Sequence, residues 1–376
     1  MKLETKGRPT WASIDLKALK WNFHQVRRLV GKQIGIISVV KANAYGHGAI
    51  ECAKRLAEYG SQALGVATVE EGKTLRQAGI GLPIIVFGVI QPYELKEVIS
   101  WQLQPTLVDS YQVRSIAKLI PQNKTQLKVH LKIDTGMGRI GINPTKVQEY
   151  IKLLLKNPKL KLQGIFTHFA TADGKNKAIV KQQLDKLQQV TDKFRQAGFD
   201  TFITHAANSA AIIKFPQAYQ DSVRPGIMLY GLYPATGLYK RLKLKPVLSW
   251  YTKIVQIKEV PKGVGLSYGH TFITKRASKI ATLPIGYADG LSRLLSNRGK
   301  VLLQGQVCPI VGRVCMDMCL VDVTKVRTAQ VGNEVVLLGQ QGKKEITADN
   351  MAKILNTISY EIVCAISNRV PRIFKG

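Results

Sequence analysis

The stretch Ile34-Gly35-Ile36-Ile37-Ser38-Val39-Val40-Lys41-Ala42-Asn43-Ala44-Tyr45-Gly46-His47-Gly48 decides how this chain is read. Residues 34–40 form an apolar run of strand length that stops at a lysine and a turn rich in Gly and Asn. At the mouth of a buried strand an amine loses hydration, which disfavours its charged form. A lysine so placed is suited to forming imines with carbonyl compounds. The plainer reading is a lysine whose stem packs while its head reaches water. The turn tilts the balance: Gly46 and Gly48 let backbone amides approach an anion, and Tyr45 adds a hydroxyl.

Outward from this stretch the pattern repeats. Strand-like segments at 34–40, 63–67, 83–87, 105–108, 127–133, 160–166, 202–204 and 222–224 alternate with helical patterns at 47–59, 69–78, 92–100, 110–120, 144–156, 176–197 and 209–215. The longest pattern carries Val180, Leu184, Leu187, Val190 and Phe194 on one stripe. Such alternation implies a parallel sheet, and eight strands imply a closed (β/α)8 TIM-like barrel, with an open doubly wound sheet as the alternative. After Lys245-Pro246 the beat changes to alternating residues over 247–260, glycine-marked turns and short β-rich runs at 301–303, 307–311 and 334–338. A separate, mainly antiparallel β domain is expected there, closed by a helix at 348–355 and a basic tail. The expected division is a barrel over 13–243 and a C-terminal β domain over 244–376, the latter joined by an N-terminal strand 1–12.

With 376 residues and 45% hydrophobic content the chain can bury more than one core. No apolar stretch is long enough for a membrane helix, and the start lacks an apolar signal core, so a cytoplasmic protein is expected. The five cysteines lack metal-finger spacing and read as free thiols, and no metal site is expected. The net charge of +31 raises nucleic-acid binding as a possibility. The lysines are nevertheless scattered along helical segments, as at Lys175, Lys177, Lys181, Lys186 and Lys193, with no basic block interleaved with aromatics. Solvated helix faces explain them better, and no specific nucleic acid is expected.

A parallel barrel carries its site at the carboxyl ends of its strands. Lys41 follows the first strand, and Lys132-Ile133-Asp134-Thr135-Gly136-Met137-Gly138-Arg139 the fifth. Thr167-His168 ends the sixth, His205, Asn208 and Ser209 follow the seventh, and Arg224-Pro225-Gly226-Ile227 ends the eighth. Their shared rim argues against coincidence. Ser209 opens a short helix, a good anion-binding position as well as an ordinary cap, and Gly226 can offer a backbone amide. The C-terminal half adds Leu266-Ser267-Tyr268-Gly269-His270-Thr271, Pro284-Ile285-Gly286-Tyr287-Ala288-Asp289-Gly290, Val311-Gly312-Arg313-Val314-Cys315-Met316-Asp317-Met318 and Ser359-Tyr360-Glu361.

From Trp11 to Arg372 these motifs, in this order, resemble those of the bacterial alanine racemases. The resemblance implies a homodimeric enzyme that uses pyridoxal 5'-phosphate (PLP) to interconvert L- and D-alanine and so supplies D-alanine for peptidoglycan. It implies that Lys41 holds the cofactor covalently and acts as one catalytic base, and that Tyr268, entering from the partner subunit, is the other. By the same resemblance Tyr45, Ser209, Gly226, Ile227 and Tyr360 bind the phosphate, and Arg224 faces the pyridine nitrogen with His168 beside it and Asn208 close to the cofactor. Arg139 and the Met316 backbone hold the substrate carboxylate. Lys132 matches a lysine carbamylated in many members, and Asp173, Tyr287, Arg293, Arg313 and Ile358 match a substrate corridor.

The residue types suit the reaction. Racemisation needs acid–base groups on opposite faces of the α-carbon, and a carbonyl cofactor to make its proton removable. A free phenol titrates near 10, so Tyr268 needs nearby cations, for which His168 and Arg224 are the expected sources. Arginine binds a carboxylate with a planar fork, and a carbamylated Lys132 would anchor Arg139 where an ammonium would repel it. Rival readings are a broad-specificity amino-acid racemase and a non-catalytic PLP-binding homeostasis protein. The second lacks a C-terminal domain such as the one carrying Tyr268 and Met316.

Overall fold

The computed structural model describes residues 7–121, 126–174, 176–235, 237–238 and 242–376. The first six residues of the expected 1–12 segment lie outside them. The chain separates into two compact units. One comprises Ala18–Ala44 and Gly48–Lys245; the other comprises the segment ending at Lys17, the tripeptide Tyr45–His47, and Pro246–Gly376.

In the first unit eight parallel strands close into a barrel: Gly35–Val39, Ala63–Val66, Ile84–Val89, Gln104–Leu107, Leu127–Lys132, Leu160–Phe166, Ile203–Asn208 and Ser222–Arg224. The ring closes where Gly35 and Ile36 pair with Ser222 and Val223. Buried β-branched and aliphatic side chains, among them Ile36, Ile37, Leu64, Val86, Leu107, Val129 and Ile165, make these short runs strands buried on both faces. The helix Lys177–Gln196 starts at Asn176, whose side chain accepts from the Ala178 amide, and buries Val180, Leu187, Val190 and Phe194. Leu184 is only half-buried, while Gln183 and Thr191 are buried on the same face.

After the N-terminal strand, one helix goes beyond the sequence reading. A strand Thr10–Asp15 runs directly into a helix Leu16–Val30 that buries Leu19, Phe23 and Val26. Within this helix, Asn22 donates to the carbonyls of Leu229 and Lys245 and accepts from the Lys245 amide. The helical pattern at 47–59 is also corrected. The helix is Ala49–Glu58, and the residues before it wind left-handed, with φ of 52°, 52°, 54° and 53° at Ala42, Asn43, Ala44 and Tyr45.

The second unit is built on one ten-stranded sheet. Its order is Gln256–Val260, Ser278–Leu283, Cys319–Asp322, Gln306–Val311, Lys300–Leu303, Glu334–Gln341, Leu248–Lys253, Thr10–Asp15 and Arg372–Lys375, with Lys344–Ile346 on Glu334–Gln341. Every pairing is antiparallel except Thr10–Asp15 with Arg372–Lys375. The basic tail is therefore an edge strand, preceded by a helix Ser359–Cys364. The expected helix appears at Ala348–Leu355, capped by Thr347. Tyr45–His47 groups with this unit for a visible reason. Gly46 lies so close to the second helix that a Cβ there would stand 2.1 Å from the Val363 carbonyl oxygen, and its own carbonyl accepts from Arg372 Nε at 3.0 Å.

Candidate active site

Lys41 stands half-buried two residues past the first barrel strand and opens the left-handed turn. Four non-glycine residues after it, Ala42, Asn43, Ala44 and Tyr45, hold a positive φ that costs an L-residue roughly 1–2 kcal/mol each. The turn is pinned at several points. The Glu71 carboxylate accepts from the Ala42 amide and, with its other oxygen, from the Ala67 amide at the end of the next strand, both at 2.7 Å. Asn43 accepts from Gly48 through its carbonyl and from Ala49 through its side chain. Strain held this firmly is characteristic of functional loops.

Four cations gather at the barrel mouth. Lys132, at the end of the fifth strand, is buried, and its amine is pushed down to about 8 by that burial and then by Arg139 and Arg224. Asp134 follows in the same loop, its carboxyl held low. Burial alone would raise it, but the amides of Gly138, Gly136 and Met137 all donate to its Oδ1 at 2.8–3.1 Å and outweigh that effect. Its charge is thereby largely committed to its own loop. Arg139 is exposed beyond it. His168, at the end of the sixth strand, is driven down to about 3 by burial and then by Arg224, Lys132, Arg139 and Lys41. It is a neutral imidazole, which corrects the expectation that it supplies positive charge to a phenol.

Arg224 ends the eighth strand and is buried without a carboxylate partner among the described residues. Its guanidinium stacks near the rings of Phe166 and Phe87, with centroids 5.2 and 5.9 Å away. Nη1 donates to His205 Nδ1 at 2.7 Å and to the His205 carbonyl, and Nη2 to the carbonyls of Thr167 and Ala206. Burial lowers Arg224 to about 9, still protonated at neutral pH. A guanidinium has five N–H donors, so the one left over is on Nε.

Ser209 is buried at the start of the six-residue helix Ser209–Lys214, and Asn208 caps that helix by accepting from the Ala211 amide. The Gly226 amide, read from sequence as an open donor, is directed at Ser209 Oγ at 2.9 Å. With its oxygen accepting, Ser209 keeps its own hydroxyl hydrogen to donate. Ile227 begins the single 3-10 turn that follows, and Asp173 is exposed in the loop before the long helix.

In the sheet unit the remaining residues are arranged by backbone. Ser267 holds a φ of 60° and donates to the Arg313 carbonyl at 2.7 Å, which presents Tyr268 at 73% exposure. The amides of Tyr287 and Ala288 donate to the carbonyls of Cys315 and Met316. Gly286 allows that approach, since a Cβ there would lie 2.2 Å from the Cys315 oxygen. Asp289 is fully buried between Arg8, Arg369 and the Gly286 amide. Met316, Tyr287, Arg293 and Ile358 are exposed, and Arg313 is half-buried. Tyr360 lies with its ring 6.1 Å from that of Tyr45.

The sequence of this chain matches two domain families over most of its length: alanine racemase, N-terminal domain, over residues 14–234, and alanine racemase, C-terminal domain, over residues 247–374. The chain belongs to the alanine racemase family. It is 50% identical over 369 residues to the alanine racemase of Halothermothrix orenii, covering 98% of this chain and 97% of that one. The alanine racemase structure from Clostridium difficile superposes with a TM-score of 0.94 at 41% identity, covering 99% of this chain and 97% of that one. The Bacillus anthracis alanine racemase structure with bound L-Ala-P gives the same TM-score at 38% identity, covering 99% and 96%. The alanine racemase fold thus accounts for both units. Among the described residues no helix is long and apolar enough to cross a membrane, and no cluster of side chains could hold a metal ion.

The sequence reading quoted Thr135 and Thr167 within its rim motifs but missed the buried polar contacts beneath this mouth. Thr135 and Thr167 share a hydrogen bond at 2.7 Å, and Gln183 Nε2 donates to Thr135 and to the His168 carbonyl. His130 and Gln104 lie deeper, below His205. For His130 and Gln104 the signal was a polar residue in the middle or at the start of a strand otherwise buried on both faces.

Proposed function

We propose that this chain interconverts L- and D-alanine with PLP, acting as a cytoplasmic homodimer that supplies D-alanine for peptidoglycan. The observation that carries this is the barrel mouth itself: Lys41, Lys132, Arg139 and Arg224 act together on His168, while the nearby carboxylates are engaged by backbone, Asp134 by three amides and Glu71 by those of Ala42 and Ala67. Such a surplus of positive charge suits an anionic phosphate and an anionic carboxylate together.

The donor set fits PLP. Lys41 offers an amine for the aldehyde, Ser209 a hydroxyl hydrogen for the phosphate, and Arg224 an Nε–H for the pyridine nitrogen. Ile227, Gly226, Tyr45 and Tyr360 are assigned to the phosphate end, and Asn208 and His168 to the surroundings of the ring. When bound, PLP supplies the electron sink that makes the α-proton of an amino acid removable.

The remaining work belongs to this chain. Lys41 Nζ takes the α-proton of the D-isomer and returns one to that face. Tyr268 of the partner subunit serves the opposite face, taking the proton of the L-isomer. Its exposure, shared by Tyr287, Met316 and Ile358, supports a role completed by a second copy. Arg224 stays a cation and would leave the ring nitrogen of the bound cofactor unprotonated, which would favour reversible proton transfer over transamination. Arg139 and the Met316 backbone hold the substrate carboxylate, and Asp173, Tyr287, Arg293, Arg313 and Ile358 line the approach. Lys132, buried with its amine near 8, is neutral often enough to attack CO2. The new N–C bond releases a proton and leaves a carbamate anion to orient Arg139.

The test is production of D-alanine from L-alanine by purified, PLP-loaded protein beside Lys41→Ala. Saturable racemisation that falls by roughly a thousandfold or more in the variant is expected. Absence of D-alanine from the wild type, or full activity in the variant, overturns the reading. Equal turnover of several other amino acids would replace it with a broad-specificity racemase.

A further inference from the structure

Below Arg224 the barrel interior holds a row of polar side chains that the reaction does not touch. His205 and His130 are both fully buried, and Gln104 nearly so. His205 Nε2 lies 3.2 Å from His130 Nδ1, and His130 Nε2 lies 2.9 Å from Gln104 Oε1. The row crosses the barrel from the eighth strand through the seventh and fifth to the fourth.

Chemistry fixes its direction. Arg224 can only donate, so His205 Nδ1 accepts and carries no proton. The proton of a neutral His205 is then on Nε2, and it is donated to His130 Nδ1. That leaves His130 with its own proton on Nε2, donated to the Gln104 carbonyl. Both imidazoles are held neutral: burial, then the charge of Arg224, drives His130 down to about 3 and His205 well below its usual value. A chain ending on a guanidinium cannot carry protons to the mouth near neutral pH, because Arg224 has no lone pair to receive one. What it can do is hold a buried cation in one place, each donor in the row sharpening the acceptor before it.

The neighbouring strand makes room for this. His130 reaches past the sixth strand because residue 164 is glycine: a Cβ there would stand 2.3 Å from His130 Nδ1. Its backbone needs no glycine otherwise, since its φ is not positive. Gln104 suits the far end better than glutamate would. A carboxylate would draw a second proton onto His130, and an N–H on Nδ1 would then face the N–H of His205.

We propose that Gln104, His130 and His205 form a one-directional hydrogen-bond chain that positions Arg224, with Gln104 and His130 as positioning residues for the end of the site that takes the ring nitrogen. This rests on the assignment of Arg224 in the proposed function. The first arm of the test is neutron diffraction from deuterium-exchanged crystals of the wild-type protein as purified. Deuterium is expected on Nε2 and not on Nδ1 of both His205 and His130; deuterium on either Nδ1 overturns the proposal. The second arm uses Gln104→Met, which keeps size and removes the acceptor, and Gly164→Ala, which keeps both imidazoles and separates them. Each is expected to lower kcat for alanine about tenfold with KM within about twofold, and to shift the absorption band of the bound cofactor, as loss of an orienting partner does. Folded variants with wild-type kcat and an unmoved band overturn it. Should the wild type make no D-alanine, the proposed function fails while the neutron arm still decides the hydrogen-bond chain.

Discussion

The barrel mouth and the loops of the sheet unit hold their reactive groups by opposite means. Arg224 and Lys132 are buried, and Arg224 is fixed by four acceptors at 2.6–2.9 Å. Tyr268 and Met316 are 73% and 53% exposed, and what places them is the backbone beneath. Ser267 sits at a positive φ, Gly312 at 71°, and Gly286 lets two carbonyls approach. One region sets its chemistry through side-chain bonds in a dry interior; the other through chain geometry, leaving side chains open to a second molecule.

Three experiments would break or sharpen this contrast. The largest effect is expected at Tyr268→Phe, which removes one hydroxyl from an exposed ring and leaves all backbone geometry intact. Racemisation should fall by about 10²–10⁴-fold, with α-hydrogen exchange lost selectively for L-alanine. Equal loss for both isomers would refute the assignment of faces.

Next is the backbone itself. A methyl at position 312 meets Ser267 Cβ at 2.7 Å and the Leu266 carbonyl at 2.9 Å, at a φ unfavourable for alanine. Gly312→Ala should cost about 3 kcal/mol in urea unfolding and reduce activity by displacing the loop. Gly332→Ala has a φ of 89° but nothing within 4 Å, and should cost only about 1 kcal/mol with activity kept. Equal costs at the two sites would mean that packing beneath Tyr268 contributes nothing.

The smallest effect belongs to the buried imidazoles. Unfolded histidine binds its proton near 6.5, whereas His130 and His168 in the fold do so only near 3. Between these values the unfolded chain holds more protons, so stability is present above pH 6.5 and is lost as pH falls toward 3. For His130 this amounts to about 2 kcal/mol at pH 5. The drop in unfolding free energy between pH 7 and pH 5 should therefore shrink by about that amount in His130→Leu. An unchanged drop would show that the interior admits charge more readily than its burial implies.

The barrel was legible because each strand and helix declares its own period, and the residues at the strand ends stand out against apolar runs. The tail at Arg372–Lys375 was not, because four residues form a strand only when Thr10–Asp15 lies beside them. The helix Leu16–Val30 had a readable stripe at Leu19, Phe23 and Val26, but it begins without a cap or break after a strand. The Gly226 amide looked open because sequence cannot show that Ser209 turns back onto it. His168 looked like a cation because its charge depends on its burial and then on four neighbours from distant parts of the chain. The row from Gln104 to Arg224 escaped for the same reason, since its members meet only across a closed ring.

The turn after Lys41 winds with the hand opposite to every helix around it, and does so through alanine and asparagine. For a mirror-image residue the same torsions are relaxed, because the clash between Cβ and carbonyl disappears on inversion. A semisynthetic chain carrying D-alanine at positions 42 and 44 should therefore close this loop more easily than the ribosomal one. The segment that bears the lysine is, in its stereochemical preference, already shaped for the antipode.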